Sequence, residues 1–166
     1  SAAHGNVNVD SAAASQSVAG GFVGFNFGIV RSSSATGNVT GGNLNSGFST
    51  IIGGFAGINS GGAQIINSTA SDAVTGGNNS ETGGFAGTNN GLIDASHALG
   101  AVSSQSLAGG FVALNDGTIT NSTATGAVTG NGFNTGGFVG ENLAGGTISS
   151  STASGNVTAT TTNAVG

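Results

Sequence analysis

The sequence has no cysteine, proline, methionine, tryptophan, tyrosine or lysine. Without cysteine there is no disulfide framework and no thiolate metal site. Charge is nearly as scarce, at 4% of residues. Arg31 is the one basic residue besides His4 and His97. It is set against Asp10, Asp72, Glu81, Asp94, Asp116 and Glu141, for a net charge of −5. A chain with so little positive charge has no footprint for nucleic acid or anionic lipid. No apolar run approaches the roughly 18 residues needed to span a bilayer, so no membrane insertion is expected. No signal peptide opens these residues, so export would rely on a signal outside them.

Glycine, by contrast, accounts for 34 of 166 residues. Gly-rich, low-charge composition is one mark of disorder. Here the hydrophobic fraction is 36% and recurs in register, and neither proline nor high net charge is present. A glycine pair followed by Phe begins at Gly20, Gly53, Gly83, Gly109 and Gly136, and Gly166 sits where another would start. The spacing is 26 to 33 residues. Four residues after each Phe (Phe22, Phe55, Phe85, Phe111, Phe138) comes an Asn: Asn26, Asn59, Asn89, Asn115, Asn142. A β-branched aliphatic follows, and three residues later a Ser: Ser33, Ser68, Ser96, Ser122, Ser151. Ala and then Val complete the period, as in Ala124 and Val128. Insertions fall at two places only, after Asn59 and Asn142 and between the Val column and the next glycine pair. Fixed cores with variable connections are the signature of stacked repeats.

Spacing within a repeat is two, with Ala124, Gly126 and Val128 on one side and Thr123, Thr125 and Ala127 on the other. That alternation predicts strand, not helix. One such unit cannot bury its apolar face, but stacking identical units does. The expected fold is an all-β, right-handed parallel β-solenoid of five to six coils, with three short strands per coil. It forms a single domain over residues 1–166, with a partial coil at 1–19. Stacking at about 4.8 Å gives a rod of roughly 27 Å. The Phe column is expected to stack inside, with Gly24, Gly57, Gly87, Ala113 and Gly140 making room. The glycine pair is expected to turn through positive φ. The Asn and Ser columns are expected to form hydrogen-bonded ladders at the turns.

The segments GFVGFN, GFAGIN, GFAGTN and GFVGEN, each followed by Gly and the aliphatic column, resemble the GLUG repeat. That motif occurs in large bacterial surface and secreted proteins, including filamentous-haemagglutinin-like exoproteins and some IgA-peptidase-type surface proteins. The resemblance covers nearly the whole chain, and the copy at Phe111 departs from it with Ala113. It implies an extracellular or cell-surface stalk, fibre or adhesin passenger, and no catalysis. The peptidase members carry a zinc motif elsewhere, and no HExxH exists in this sequence.

Candidate sites are few. His4 and His97 fall in different columns, so no metal site is expected. No cofactor is expected either. Asp94 and Asp116 lie in adjacent coils and are the nearest approach to a carboxylate pair, the minimum a polysaccharide-active β-helix would need. Outward Thr and Ser columns, such as Thr123, Thr125 and Thr129, make a hydroxyl face of the kind an ice-binding solenoid would use, although Thr is also simply a good exposed strand former. Asn-x-Ser/Thr sequons at Asn38, Asn67, Asn121 and Asn156 arise from the repeat columns. If the Phe column faces in, then Val23, Val112 and Val139 face out, together with Phe25, Ile58 and Leu114. Such a stripe marks an interface. The expected partner is therefore the chain itself, joined laterally by this stripe and axially through open coil ends, with a host or matrix surface as a further partner.

Overall fold

A computed structural model describes residues 1–9, 16–43, 49–132 and 134–160. Asp10, Gly166 and the middle of the connection from Gly41 to Ile52 lie outside them. All regular structure in the described residues is strand, 27 segments in all. Every pairing is parallel and joins a strand to its copy in the next coil. The fold is a parallel β-solenoid of about five turns.

Each coil contributes five strands, not the expected three. One coil runs Ser34–Ala35, Val39–Gly41, Thr50–Gly53, Ala56–Asn59, Gln64–Ile66. We name the resulting sheets A to E in that order. Sheets A and B have six strands and sheets C, D and E have five. Segments of two or three residues are too short to show alternation of their own, so the count could not be read from parity.

Between sheets E and A the chain turns at Ser32, Asn67, Ala95, Asn121 or Ser150, each with φ of 47° to 50°. One left-handed residue reverses the parity, and the next residue in each case is the conserved-in-repeat Ser. Sheets A and B then alternate strictly. Across Ser122 to Gly130 the buried residues are Ser122, Ala124, Gly126, Val128 and Gly130, and the outward ones are Thr123, Thr125, Ala127 and Thr129.

The C–D corner works differently. No residue of the glycine pairs has positive φ, contrary to expectation. The pair is required by close approach. A Cβ on Gly53 would collide with the Ala56 carbonyl of its own coil, and one on Gly54 with the Gly84 carbonyl of the next. At the following Phe, two successive N–H groups, of Phe55 and Ala56, donate to the single carbonyl of Phe85, at 2.8 and 3.0 Å. This bulge-like step turns two consecutive side chains into the core. Phe55, Phe85, Phe111, Ala56, Ala86 and Val112 are all fully buried there, with Ile65, Ile93 and Ile119 of sheet E beneath them.

Candidate functional site

The interior carries three ladders. Phe22, Phe55, Phe85, Phe111 and Phe138 stack with ring centroids 4.7 to 4.9 Å apart and planes within 9° of parallel. The strand spacing sets that separation, and parallel-displaced rings tolerate it. Beside them the Asn amides form a one-way chain. Asn26 Nδ2 donates to Asn59 Oδ1 at 2.9 Å, Asn59 to Asn89 at 2.8 Å, Asn89 to Asn115 at 2.9 Å and Asn115 to Asn142 at 2.7 Å. The same Nδ2 groups cap turn carbonyls, as Asn89 does with Gly91. In the Ser column the links run from backbone to hydroxyl. The N–H groups of Ser33, Ser68, Ser96 and Ser122 donate to the Oγ of Ser68, Ser96, Ser122 and Ser151 at 3.1 to 3.3 Å. Each Oγ in turn donates to the carbonyl two residues earlier. The left-handed residue before each Ser leaves that N–H without a strand partner, which is why a hydroxyl is needed.

Sequence reasoning missed a third polar element, at the B–C corner. Thr82 Oγ1 donates to Ser80 Oγ at 3.0 Å and Ser104 Oγ at 3.1 Å, all three buried. These residues sit in the variable connection, where no column was apparent.

The proposed outer stripe requires correction. Val112 is fully buried, and Val23 and Val139 pack partly buried against the Phe core, because the bulge turns them inward. The second column is covered by sheet C, which lies against sheet D. A Cβ on Gly87 would meet the Ile51 side chain and one on Gly140 the Leu107 side chain, both across this contact. Thr88 Oγ1 donates to Glu81 Oε2 there at 2.6 Å. Ile58 is therefore buried and Leu114 half-buried, while Phe25 stays 46% exposed. Phe25 has company that the sequence did not single out. Its ring stacks on Phe27 at 5.0 Å, and Phe27 and Ile29 are 77% and 60% exposed.

The polar candidates remain dispersed. Among the described residues no three His, Asp or Glu side chains come together. His4 Nδ1 meets Thr36 Oγ1 and His97 Nδ1 meets Thr123 Oγ1, one contact each. Asp94, on the outer face of sheet E, accepts from Thr120 Oγ1 at 2.6 Å and Asn121 Nδ2 at 2.9 Å. Those two donors hold its carboxyl below the usual range, against a smaller opposing effect of burial. Asp116 sits in a turn and accepts from the Gly145 N–H at 3.1 Å. On sheet B the outward column of Thr40, Thr75, Ser103, Thr129 and Thr158 is in register and exposed throughout. Beside sheet E the two short turns at Asn90 and Asp116 lie between the longer turns at Gly62 and Gly145. The step leaves a notch of about 470 Å³.

Against known proteins, the family model described as the GLUG motif matches residues 15–40, 48–75, 104–129 and 131–158, more than half of the chain. The coil of Phe85 falls between matches, yet it occupies the same columns as its neighbours. No curated protein and no solved structure matches the chain.

Proposed function

The chain belongs to the GLUG-motif family, and from that membership we propose that it is a structural, rod-forming segment of a bacterial surface or secreted protein, serving as stalk, fibre or adhesin passenger. GLUG repeats occur in large bacterial surface proteins. The observation that carries the reading is the set of unbroken ladders. Phe, Asn and Ser each link every coil to the next, so the molecule invests its recurring residues in axial continuity. A recurrent residue spent on stacking is not available to build one reactive centre, and the acidic side chains are scattered among different columns. Extracellular exposure also suits the composition, since Arg31 leaves trypsin a single cleavage site. The rod's sides make contacts with copies of itself and with host or matrix surfaces.

Immunogold electron microscopy of the native cells tests this reading. Label on thin surface projections or released fibres supports it, and label confined to the cell interior overturns it.

A second reading is favoured by the in-register hydroxyl column on sheet B, whose outward residues Thr40, Thr75, Ser103, Thr129 and Thr158 carry no charge, although His97 and Leu99 interrupt the hydroxyls beside it on sheet A. A flat array of Thr methyl and hydroxyl groups suits an ice surface. Inhibition of ice recrystallisation by the pure protein, lost on Thr129→Lys and kept on Thr118→Lys, supports it. No inhibition at millimolar protein ends it.

A further inference from the structure

The outer face of sheet E has a symmetry of its own. Two outward columns cross it. One reads Arg31, Ile66, Asp94 in successive coils, and the other Ile29, Gln64, Leu92. The only Arg of the chain and a hydrogen-bonded carboxylate thus stand one coil either side of an apolar residue. The same coils carry a knob and a hollow. The stacked Phe25–Phe27 pair projects beside Ile29, while the notch opens beside Leu92, lined by Gly62, Gln64, Asn90, Gly91 and Asp116 among others.

We propose that sheet E is a lateral interface with a second copy of this chain, packed antiparallel about a two-fold axis that runs along the strands at the level of Gln64 and Ile66. This deepens the side-to-side contact proposed above, and names its surface and partner.

The geometry follows from the register. Such an axis reverses the order of coils but leaves each column facing its own copy. Arg31 then meets the second copy's Asp94, and Asp94 meets its Arg31. Ile66 faces its own equivalent, Ile29 faces Leu92, and Gln64 faces Gln64. Every opposition is charge to opposite charge, apolar to apolar or amide to amide. That self-complementarity is what an isologous interface requires. The Phe27 knob of each copy falls at the coil of Asn90 and Gly91, where the short turn leaves the notch. Within one chain Arg31 and Asp94 are two coils apart, about 10 Å between their backbones, with Ile66 between them, and the Asp94 carboxylate is turned the other way, toward the following coil. The two hydrogen bonds from Thr120 and Asn121 fix the carboxylate in place. Exposed aromatic and Arg side chains together are the composition of an interface anchor. An unrelated partner would give no reason for the opposite charge to stand at the mirrored position.

The contact spans three coils and the adjoining turn. That is about 300 Å² per copy, well below the ~800 Å² of a standard interface. The pair is therefore weak between free molecules and strengthened where long rods lie tethered side by side.

Sedimentation equilibrium of the 166-residue chain at millimolar concentration and low salt tests the proposal, with circular dichroism confirming the fold of each variant. The wild type is expected to dimerise. Arg31→Asp or Asp94→Arg alone should weaken the dimer at least tenfold, Phe27→Ser likewise, and Thr118→Ser not at all. The double variant R31D/D94R should recover most of the loss, since both charge pairs are restored in reverse. A wild type monomeric at millimolar concentration overturns the interface. So does a double variant no better than the singles. Loss of the dimer with fibres still seen on cells removes only this interface. A charge-reversible dimer from a protein found only inside cells removes only the surface role.

Discussion

Sheets A and B and sheets C and D are built from the same short repeat and bury their residues by opposite rules. On the A–B side one row of side chains faces in and the next faces water, so the wall is one layer thick. On the C–D side all four residues of Ala56–Asn59 are buried, as are those of Ala86–Asn89. The chain folds back at the glycine pair, lays sheet C over sheet D and turns two successive residues inward at the bulge. A single-layered wall depends on its inward columns alone. A double layer depends on the absence of side chains where its backbones meet.

The sharpest way to break this contrast is at the Phe stack. Phe85 lies between Phe55 and Phe111 and is fully buried. Phe85→Ala should cost about 3–5 kcal/mol, read from urea denaturation. Because each coil touches only its neighbours, the loss should divide the rod into two weakly coupled halves, and the transition should broaden. A loss under 1 kcal/mol with an unchanged slope would show that the C–D interior does not hold the coils together.

Next in size is the fold-back itself. Gly84→Ala places a methyl against the carbonyl of Gly110 in the next coil, where backbone has no room to yield. The expected cost is about 1–3 kcal/mol. Gly126 on the A–B side faces a carbonyl just as close, that of Gly100, but its column holds Asp72 in another coil, so the backbone there can accommodate a side chain. Gly126→Asp should therefore be the milder of the two, and thermal melts of the pair decide it.

Asn89→Ala removes one rung of the amide ladder. It leaves Asn59 Nδ2 with the Leu92 carbonyl alone and Asn115 Oδ1 without the Asn89 donor, both in buried positions. About 1–3 kcal/mol should be lost. Hydrogen exchange should accelerate first at the Gly91 amide, which Asn89 Oδ1 accepts.

The two regions were unequally legible in the sequence. Strict period-two patterning from Ser122 to Gly130 places every A–B residue correctly, since alternation is the whole of the geometry there. The columns of Asn, Ser and Phe were visible as columns because stacking puts identical residues in identical surroundings. Parity then misled at Val112. The bulge at Phe111 shifts the register by one, and no residue type announces that two N–H groups share a carbonyl. The glycine pairs were legible as a backbone requirement, but its kind was not. Positive φ and close approach both exclude a Cβ, and only the neighbouring coil distinguishes them. Arg31 and Asp94 read as isolated charges because their shared column spans 63 residues of chain, and Phe27 and Ile29 lie outside every recurring position.

The smallest effect tests the single-layered side, where the strain sits in the turn and not in the strands. The left-handed residue entering sheet A is Asn67 in one coil and Asn121 in another, Ser32 and Ser150 at two more, and Ala95 in the middle of the rod, at φ 49°. Ala has neither the freedom of Gly nor a side chain that bonds its own backbone, so this conformation costs it about 1 kcal/mol or more. The following Ser96 keeps its N–H and Oγ bonds regardless of what precedes it, so the turn is held by the ladder against that cost. Ala95→Gly relieves the strain but loosens the unfolded chain, which offsets part of the gain. Ala95→Asn relieves it through local bonding with less of that penalty. Both substitutions should raise the midpoint of thermal unfolding, with Asn at least equal to Gly. The reciprocal Asn121→Ala should lower it by a similar margin, with the extra loss of the Asn121 bond to Asp94. Melting curves that place Ala95→Asn below the wild type would mean that this turn is not strained and that the single layer draws nothing from the identity of its corner residue.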